Sequence, residues 1–241
     1  MLLVLRSLLF NTIFYAGMLI WGIGLAPLAL ISRDWSYWIC KSYVTFTFWI
    51  MKLLCGLSVD VRGPVPDGNV LIAAKHHSFL DILILADALP NFKFIMKKEL
   101  KWAPVIGFYA KQLGCPPVDR GKKAQAMTQM VGDLEEGEGG LGQVVIYPQG
   151  MRVKVGDKVP YKIGAAFIYN RFELPCVPVA SNVGVFWGRL NIARRPGAAV
   201  MEFLDPIPPG LEKRQMLQAV EDAIETRSDD LIAQAQASLA R

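Results

Sequence analysis

Residues 69–89, NVLIAAKHHSFLDILILADAL, contain the pattern that decides the fold. The apolar run Asn69–Ala74 predicts a buried strand, and the apolar run Phe79–Ala88 predicts a helix. A short polar turn joins them and carries both histidines of the chain, His76 and His77. Ligands bind at the carboxyl ends of strands in α/β sheets, so this turn is the first candidate for a functional site.

The chain on either side of this turn alternates β-rich runs with helical patterns. That alternation predicts an α/β fold with a mostly parallel central sheet flanked by helices. The other predicted strands are Leu57–Arg62, Phe92–Met96, Gln143–Tyr147, Pro175–Ala180 and Ala198–Phe203. The other predicted helices are Lys122–Glu136, Tyr161–Arg171 and an amphipathic terminal helix over Leu211–Leu239.

The N-terminal end is apolar and predicts contact with a membrane. No charged residue occurs from Leu8 to Ile31, which is long enough to cross the hydrocarbon core. Gly17, Gly22, Gly24 and Pro27 interrupt the run, so a bent or re-entrant helix within one leaflet fits equally well.

A second apolar segment, Trp35–Leu57, is rich in aromatic residues and contains Lys41 and Lys52. Aromatic rings favour the headgroup level and lysines extend toward water, which predicts an interfacial helix paired with the first. We therefore expect residues 1–57 to form a membrane-anchoring helical hairpin and residues 58–241 an α/β domain. A cleaved signal peptide is the disfavoured alternative, because the apolar region exceeds a typical signal-peptide core.

Composition narrows the class of partner. With 53% hydrophobic and 20% charged residues, the chain is not of a disordered or fibrous class. A net charge of +5 suits anionic lipid, phosphate or nucleic acid, but the aromatic residues concentrate in the apolar N-terminal segment. We therefore expect membrane lipid and phosphate as partners and no nucleic acid. Widely spaced cysteines and two adjacent histidines predict no metal site.

His76 and Asp81 are the candidate catalytic pair. Residues five apart do not share a helix face, so the two side chains meet only if His76 lies in the turn and Asp81 in the first helical turn. Ser78 as N-cap would arrange this. An imidazole held by a carboxylate can act as a general base. Ser78 and Asp81 also resemble a capping box, so a purely capping Asp81 stays open as an alternative.

The segment His76–Asp81, HHSFLD, resembles the first motif of the glycerolipid acyltransferases of the 1-acyl-glycerol-3-phosphate type: histidine, any four residues, then aspartate. The resemblance implies that His76 deprotonates an acceptor hydroxyl, which attacks an acyl thioester directly, while Asp81 orients the ring. It also implies no cofactor, and it gives His77 no catalytic role.

Two further segments resemble phosphate-binding parts of that family. CPPVDRG at 115–121 is similar to the second motif, an apolar strand that ends in arginine, and implies that Arg120 contacts the acceptor phosphate. A helix start beside a guanidinium also suits an anion, although a solvated surface arginine is an alternative. Lys97 is similar to a lysine of the family that follows the next strand, and is expected to join this pocket.

The third block, VVIYPQGMR at 144–152, resembles the family motif Phe-Pro-Glu-Gly-Thr-Arg. Gly150 and Arg152 match it and are assigned to acceptor binding together with Gln149. Gln149 and Met151 depart from the usual Glu and Thr, and the amide loses the charge of the carboxylate. Acceptor recognition or turnover is therefore expected to differ from the family pattern.

The fourth block, LPCVPVA at 174–180, is similar to the Val-Pro-Val strand of the family and implies that Val177 and Pro178 lie on the acyl-donor side. As a whole the resemblance implies acylation of the 2-hydroxyl of 1-acyl-glycerol 3-phosphate, with acyl-CoA or acyl-carrier protein as donor. It also implies a bacterial inner-membrane enzyme that faces the cytoplasmic leaflet. Acylation of another lysolipid, such as lyso-ornithine lipid, and a noncatalytic lipid-binding protein are the alternatives.

Overall fold

The computed structural model describes residues 1–119, 121, 123–137 and 140–240. Six strands form one sheet in the order β1-β8-β7-β2-β6-β3, and two short strands, β4 and β5, form a second sheet. The strands are β1 Leu57–Arg62, β2 Val70–Ala74, β3 Phe92–Phe94, β4 Met96–Lys97, β5 Pro117–Val118, β6 Gln143–Ile146, β7 Cys176–Ser181 and β8 Gly197–Phe203.

Helices cover both faces of the large sheet. Their bounds are α1 Leu2–Gly24, α2 Ala26–Ala29, α3 Arg33–Cys55, α4 Leu80–Ala88, α5 Pro104–Gln112, α6 Lys123–Glu135, α7 Gly164–Phe172, α8 Val183–Phe186 and α9 Lys213–Leu239, with a 3-10 turn over Lys98–Trp102. All strand pairs of the large sheet are parallel except β7–β8. The predicted α/β class with a mostly parallel sheet is therefore confirmed.

Strand β2 occupies the centre of the sheet, between β6 and β7. All five of its residues are buried, which explains why Val70–Ala74 is apolar without alternation. Side chains that alternate along β2 enter different cores. Ile72 packs with α3 and α4, whereas Leu71 packs with α7 and α9. The strand thereby fixes the direction in which the chain enters the histidine turn.

The first helix packs against the rest of the protein along its length. Tyr43 in α3 donates its hydroxyl to the carbonyl of Phe14 at 2.8 Å, and Tyr109 in α5 donates to that of Gly22 at 3.1 Å. Near the start of α1, the backbone N–H of Arg194 donates to Ser7 Oγ at 2.8 Å. By length and composition alone, helix α1 is long and apolar enough to cross a membrane.

The interruption that the glycines and Pro27 predict lies at the end of α1, where a turn at Leu25 leads into the separate helix α2. The helix runs through Gly17 and Gly22 and ends at Gly24. Gly22 instead permits close packing, since a Cβ atom there would lie 2.3 Å from Val105 Cγ1. Glycine can serve close packing between two helices or the special backbone conformation of a turn. The sequence alone does not distinguish these two uses.

Other differences from the sequence prediction are local. The single strand predicted over Phe92–Met96 is split between β3 and β4, which belong to different sheets. Helix α7 begins at Gly164 rather than at Tyr161, and α5 was not predicted. The division of the chain at residue 57 into two domains stays a prediction. One hydrophobic core includes residues from both sides of that position, such as Phe14 and Ile72.

Exchange of Gly22 for alanine is expected to destabilise the protein by about 1–3 kcal/mol, since Val105 is stiff at χ1 and must move with its helix. Gly24→Ala is the matched control, because nothing lies within 4 Å of a Cβ at that position. Thermal unfolding in detergent compares the two variants. Equal midpoints would show that α1 does not pack tightly against α5.

Candidate active site

The turn Lys75–Phe79 places His76 where β2 gives way to α4. The N–H of Lys75 still donates to the Val179 carbonyl at 3.0 Å, so the sheet ladder reaches the residue before His76. Ser78 Oγ accepts from the Leu80 N–H at 3.0 Å and so satisfies one free amide of the helix start. Ser78 thus caps the helix from one residue before the N-cap position, which Phe79 occupies.

Asp81 holds the imidazole and also closes the turn before α4, although it forms no capping box. Its Oδ2 lies 3.1 Å from His76 Nδ1 and also accepts the backbone N–H groups of His77 at 2.5 Å and Ser78 at 2.7 Å. The carboxylate is fully buried. The same oxygen that closes the turn therefore holds the imidazole, because its contacts with the turn amides fix the carboxylate beside the ring.

This contact decides which nitrogen of His76 is basic. A carboxylate only accepts hydrogen bonds, so Nδ1 carries the proton and Nε2 the lone pair. The ring of Tyr147 stacks on the imidazole with centroids 3.9 Å apart and planes inclined by 18°. His76 is thereby held on one edge by Asp81 and on one face by Tyr147.

Tyr147 is a residue that the sequence analysis passed over. Burial, and after it the nearby charge of Asp81, raises its pKa well above the ordinary value, so the phenol stays protonated. Its hydroxyl is buried without a hydrogen-bond partner among the described residues. The only available signal was its place at the aromatic position of the third motif.

A large apolar cavity opens beside this pair. Its volume is about 950 Å³, and its walls come from α1 and α3 as well as from the α/β domain. His76 and Tyr147 line it together with Arg152. Much of the remaining lining is apolar, including Met18, Trp21, Ile39, Val44, Leu83, Phe92, Ile106, Leu113 and Met130.

The segment that follows β6 is tied to the histidine turn by two hydrogen bonds. The Val153 N–H donates to the His76 carbonyl at 2.8 Å, and the ring of His77 lies with Nδ1 2.9 Å from the Val153 carbonyl. Gly150 lies in the turn between β6 and Val153, and its φ of +68° is a conformation that favours glycine. Arg152 therefore enters the cavity wall next to His76.

Basic side chains gather at the same cavity. Lys97 and Arg152, both predicted, line it, and so does Lys162. Lys97 is half exposed, and its Nζ lies 3.5 Å from Glu99 Oε1. Lys162 was missed by the sequence analysis, where only its position in YKIG before a helix offered a signal. Arg120 lies outside the described residues, so its assignment stays a prediction.

Three predicted site residues lie away from the cavity. Gln149 is buried with its Nε2 3.4 Å from Glu225 Oε1, and neighbours Pro148 and Gly150 line the cavity in its place. Val177 and Pro178 pair with Ile72 and Ala73 inside the sheet. Their assignment to the acyl-donor side stays a prediction, since the described cavity wall includes neither.

The described residues contain no group of three or more His, Cys, Asp or Glu side chains that could hold a metal ion. An imidazole with a free Nε2, held by a buried carboxylate at the wall of an apolar cavity, is arranged to accept a proton from a hydroxyl.

Comparisons with known proteins place the chain in a family. The family model described as Acyltransferase matches residues 58–182, just over half of the chain. A 1-acyl-sn-glycerol-3-phosphate acyltransferase from Pseudomonas aeruginosa is 25% identical over 80% of this chain and 77% of its own length. The yeast enzyme of the same name, from Saccharomyces cerevisiae, is 28% identical over 66% of this chain and 54% of its own length.

A solved structure shares the fold. The crystal structure of the 1-acyl-sn-glycerophosphate acyltransferase from Thermotoga maritima superposes with a TM-score of 0.78, covering 94% of this chain and 95% of that one. Sequence identity is 18%, so this likeness concerns the fold alone. It includes the N-terminal helices, because the coverage extends over nearly the whole chain.

His77 is expected to make stability depend on pH. Burial, opposed by the nearby Asp81 charge, lowers its pKa in the folded protein, whereas an unfolded histidine titrates near about 6.5. The neutral ring therefore contributes stability that is present above pH ~6.5 and is lost as pH falls through the folded pKa. His77→Asn keeps a donor for the Val153 carbonyl but does not titrate.

Urea unfolding in detergent at several values between pH 7.5 and 5 measures this dependence. The loss of stability on acidification should be smaller for His77→Asn than for the unmodified protein, and equally small for His77→Phe. Parallel curves for all three proteins would mean that His77 is not held neutral.

Proposed function

Because the chain belongs to the acyltransferase family, we propose that it transfers a fatty acyl group from a thioester to the 2-hydroxyl of 1-acyl-glycerol 3-phosphate, forming phosphatidate. The observation that carries the proposal is the contact between Asp81 and His76, whose ring lines a large apolar cavity that Arg152 also lines. The reaction needs a base for the hydroxyl, a cavity large enough for a lipid and a cation for the phosphate.

His76 acts as the general base. Its Nε2 accepts the proton of the acceptor hydroxyl while that oxygen attacks the thioester carbonyl carbon. The tetrahedral intermediate collapses with cleavage of the carbon–sulfur bond, and the proton passes from Nε2 to the departing thiolate. Asp81 keeps the lone pair on Nε2 and stabilises the imidazolium that forms in between. No covalent acyl-enzyme is required.

The acceptor phosphate is held by the basic side chains of the cavity, Arg152, Lys97 and Lys162. A guanidinium can bind a phosphate through two parallel hydrogen bonds, whereas an ammonium acts as a point charge. Gly150 lies under Lys162, where a Cβ atom would come within 2.6 Å of Nζ. Glycine at this position leaves the lysine room to lie over the turn, and Arg120 is proposed to complete the set.

The acyl chains occupy the apolar part of the cavity. Side chains of α1, such as Met18 and Trp21, form one wall, and residues of α4 and α5, such as Leu83 and Ile106, form others. An acyl chain that leaves the bilayer along α1 would meet apolar surface on its way to His76. The N-terminal helices are therefore part of the substrate site as well as an anchor.

Membrane association follows from the exposed surface of the helices. Leu5, Ile20, Trp49 and Leu53 are each more than 60% exposed. Apolar patches of this kind mark membrane or protein contacts. We favour insertion into one leaflet, because α1 contacts the domain at both Ser7 and Gly22, about 22 Å apart along the helix. A spanning helix would carry one of these contacts to the far side of the bilayer.

The donor is proposed to be acyl-CoA or acyl-carrier protein, since both present an acyl thioester. The proposed location is the inner membrane of a bacterium, with the site at the cytoplasmic leaflet where both donors are found. Membrane lipid surrounds the exposed helices in this arrangement. Nothing in the chemistry requires a cofactor.

His76→Ala is expected to lower kcat by about 10²–10⁴-fold, the usual contribution of a general base. Asp81→Asn should also lower kcat, because the amide can present its NH2 group to Nδ1 and reverse the tautomer. Purified protein in detergent is assayed for thioester-dependent acylation of 1-acyl-glycerol 3-phosphate, with circular dichroism to confirm folding. Activity that survives in folded His76→Ala would refute the mechanism.

Arg152→Ala is expected to raise KM for 1-acyl-glycerol 3-phosphate by about tenfold or more, since a charge-assisted phosphate contact is lost. Lys158→Ala, an exposed lysine of the same loop, is the control and should leave KM unchanged. Lyso-ornithine lipid, which has no phosphate, is assayed in parallel. Preference for that lipid would replace the proposed acceptor, and inactivity with every lysolipid and donor would favour a noncatalytic lipid-binding protein.

A further inference from the structure

Glu225, in the C-terminal helix α9, accepts hydrogen bonds from three segments that surround the active site. Lys75 Nζ lies 2.6 Å from Oε1 and 2.5 Å from Oε2. Tyr161 donates its hydroxyl to Oε1 at 2.8 Å, and Gln149 Nε2 lies 3.4 Å from the same oxygen. These donors are far apart in sequence and come together only at this carboxylate.

Each donor is adjacent in sequence to a residue of the site. Lys75 precedes His76, Gln149 precedes Gly150, and Tyr161 precedes Lys162. In each pair the first side chain points away from the cavity toward α9, while the second lines the cavity. On the side away from the cavity, the Glu225 carboxylate therefore holds the backbone next to His76 and the backbone next to the phosphate-binding groups.

The charges in this cluster are matched one to one. The Lys75 side chain is only 4% exposed, and Glu225, at 28%, is its carboxylate partner. A buried ammonium without a partner is strongly unfavourable. Burial, followed by the charge of Glu225, raises the pKa of Tyr161, so the phenol remains a donor. A second carboxylate at position 149 would lie about as far from Glu225 as the present amide and would repel it.

We propose that Glu225 is a positioning residue, which keeps the His76 turn and the Gly150–Arg152 turn in register with each other. This inference rests on the proposed function for its kinetic readout. Glu225 touches neither substrate nor cavity; it acts through Lys75 and Gln149. The amide at position 149 belongs to the same arrangement, because the cluster has room for one carboxylate and α9 supplies it.

Glu225→Gln is expected to raise KM for the lysolipid acceptor about tenfold, with the KM for the thioester donor unchanged. Displacement of the Gly150–Arg152 turn affects phosphate binding, whereas loss of folded protein alone would lower kcat and leave KM unaffected. Asp229→Asn, an exposed acid in the same helix, is the matched control and should behave as the unmodified enzyme.

A charge exchange separates positioning from bulk stability. Gln149→Glu alone puts two carboxylates in the cluster, and Glu225→Gln alone leaves none. Both single variants should show a raised acceptor KM. The double variant Gln149→Glu/Glu225→Gln again has one carboxylate beside Lys75 and should recover KM to within about threefold. Failure of the double variant to recover while it remains folded would overturn the proposal.

Lys75→Met/Glu225→Gln covers the case in which Glu225→Gln does not fold, because it removes both charges together. A raised acceptor KM in this folded variant supports positioning. An unchanged acceptor KM in this double variant would show that Glu225 only balances the charge of Lys75, and would overturn the proposal.

Hydrogen exchange provides a readout that does not depend on the reaction. Backbone amides of residues 75–79 and 149–154 should exchange faster in Glu225→Gln than in Asp229→Asn. Unchanged exchange would overturn the proposal, whatever the enzyme acylates. An unmodified enzyme that fails to acylate 1-acyl-glycerol 3-phosphate, with exchange altered as expected, would overturn the proposed acceptor and leave the role of Glu225 standing.

Discussion

The buried carboxylate of Asp81 is the interaction on which the site depends. A charge with no exposure to water is tolerated only where donors surround it, and here three N–H groups converge on one oxygen. Two of them belong to the backbone of the turn and one to the ring of His76. The first turn of α4 adds the favourable field of a helix N-terminus. Structure and chemistry are therefore satisfied by the same atom, and neither can be altered alone.

The second constraint is the packing of the N-terminal helices onto the sheet domain. The cavity beside His76 exists only because α1 and α3 supply one of its walls. Their outer surfaces remain apolar and exposed, while their inner surfaces join the main core. An apolar surface thus continues from the outside of α1 to His76 along the cavity wall.

The C-terminal helix completes the arrangement from the opposite face of the sheet. Its apolar residues, including Met216, Val220 and Ile224, join the second core. Glu225 follows this apolar stretch and brings a carboxylate to the rear of the active-site turns. A parallel sheet makes this possible, because the carboxyl ends of β2 and β6 emerge at one edge and Glu225 reaches a residue that follows each of them, Lys75 and Gln149.

The sequence by itself determined most of the elements and the candidate pair His76 and Asp81. Period and composition predicted the six main strands within a few residues, and the spacing from His76 to Asp81 allowed their contact across a turn that leads into a helix. These are local properties, since the burial of a strand and the geometry of a turn depend on residues that are neighbours in the sequence. The closing of the cavity by α1 and α3, the stacking of Tyr147 on His76 and the place of Lys162 depended on the tertiary structure. So did the direction of Gln149, whose amide meets a carboxylate 76 positions away. Contacts between distant segments follow from how the layers pack, and that packing has no signature in any single stretch of the chain.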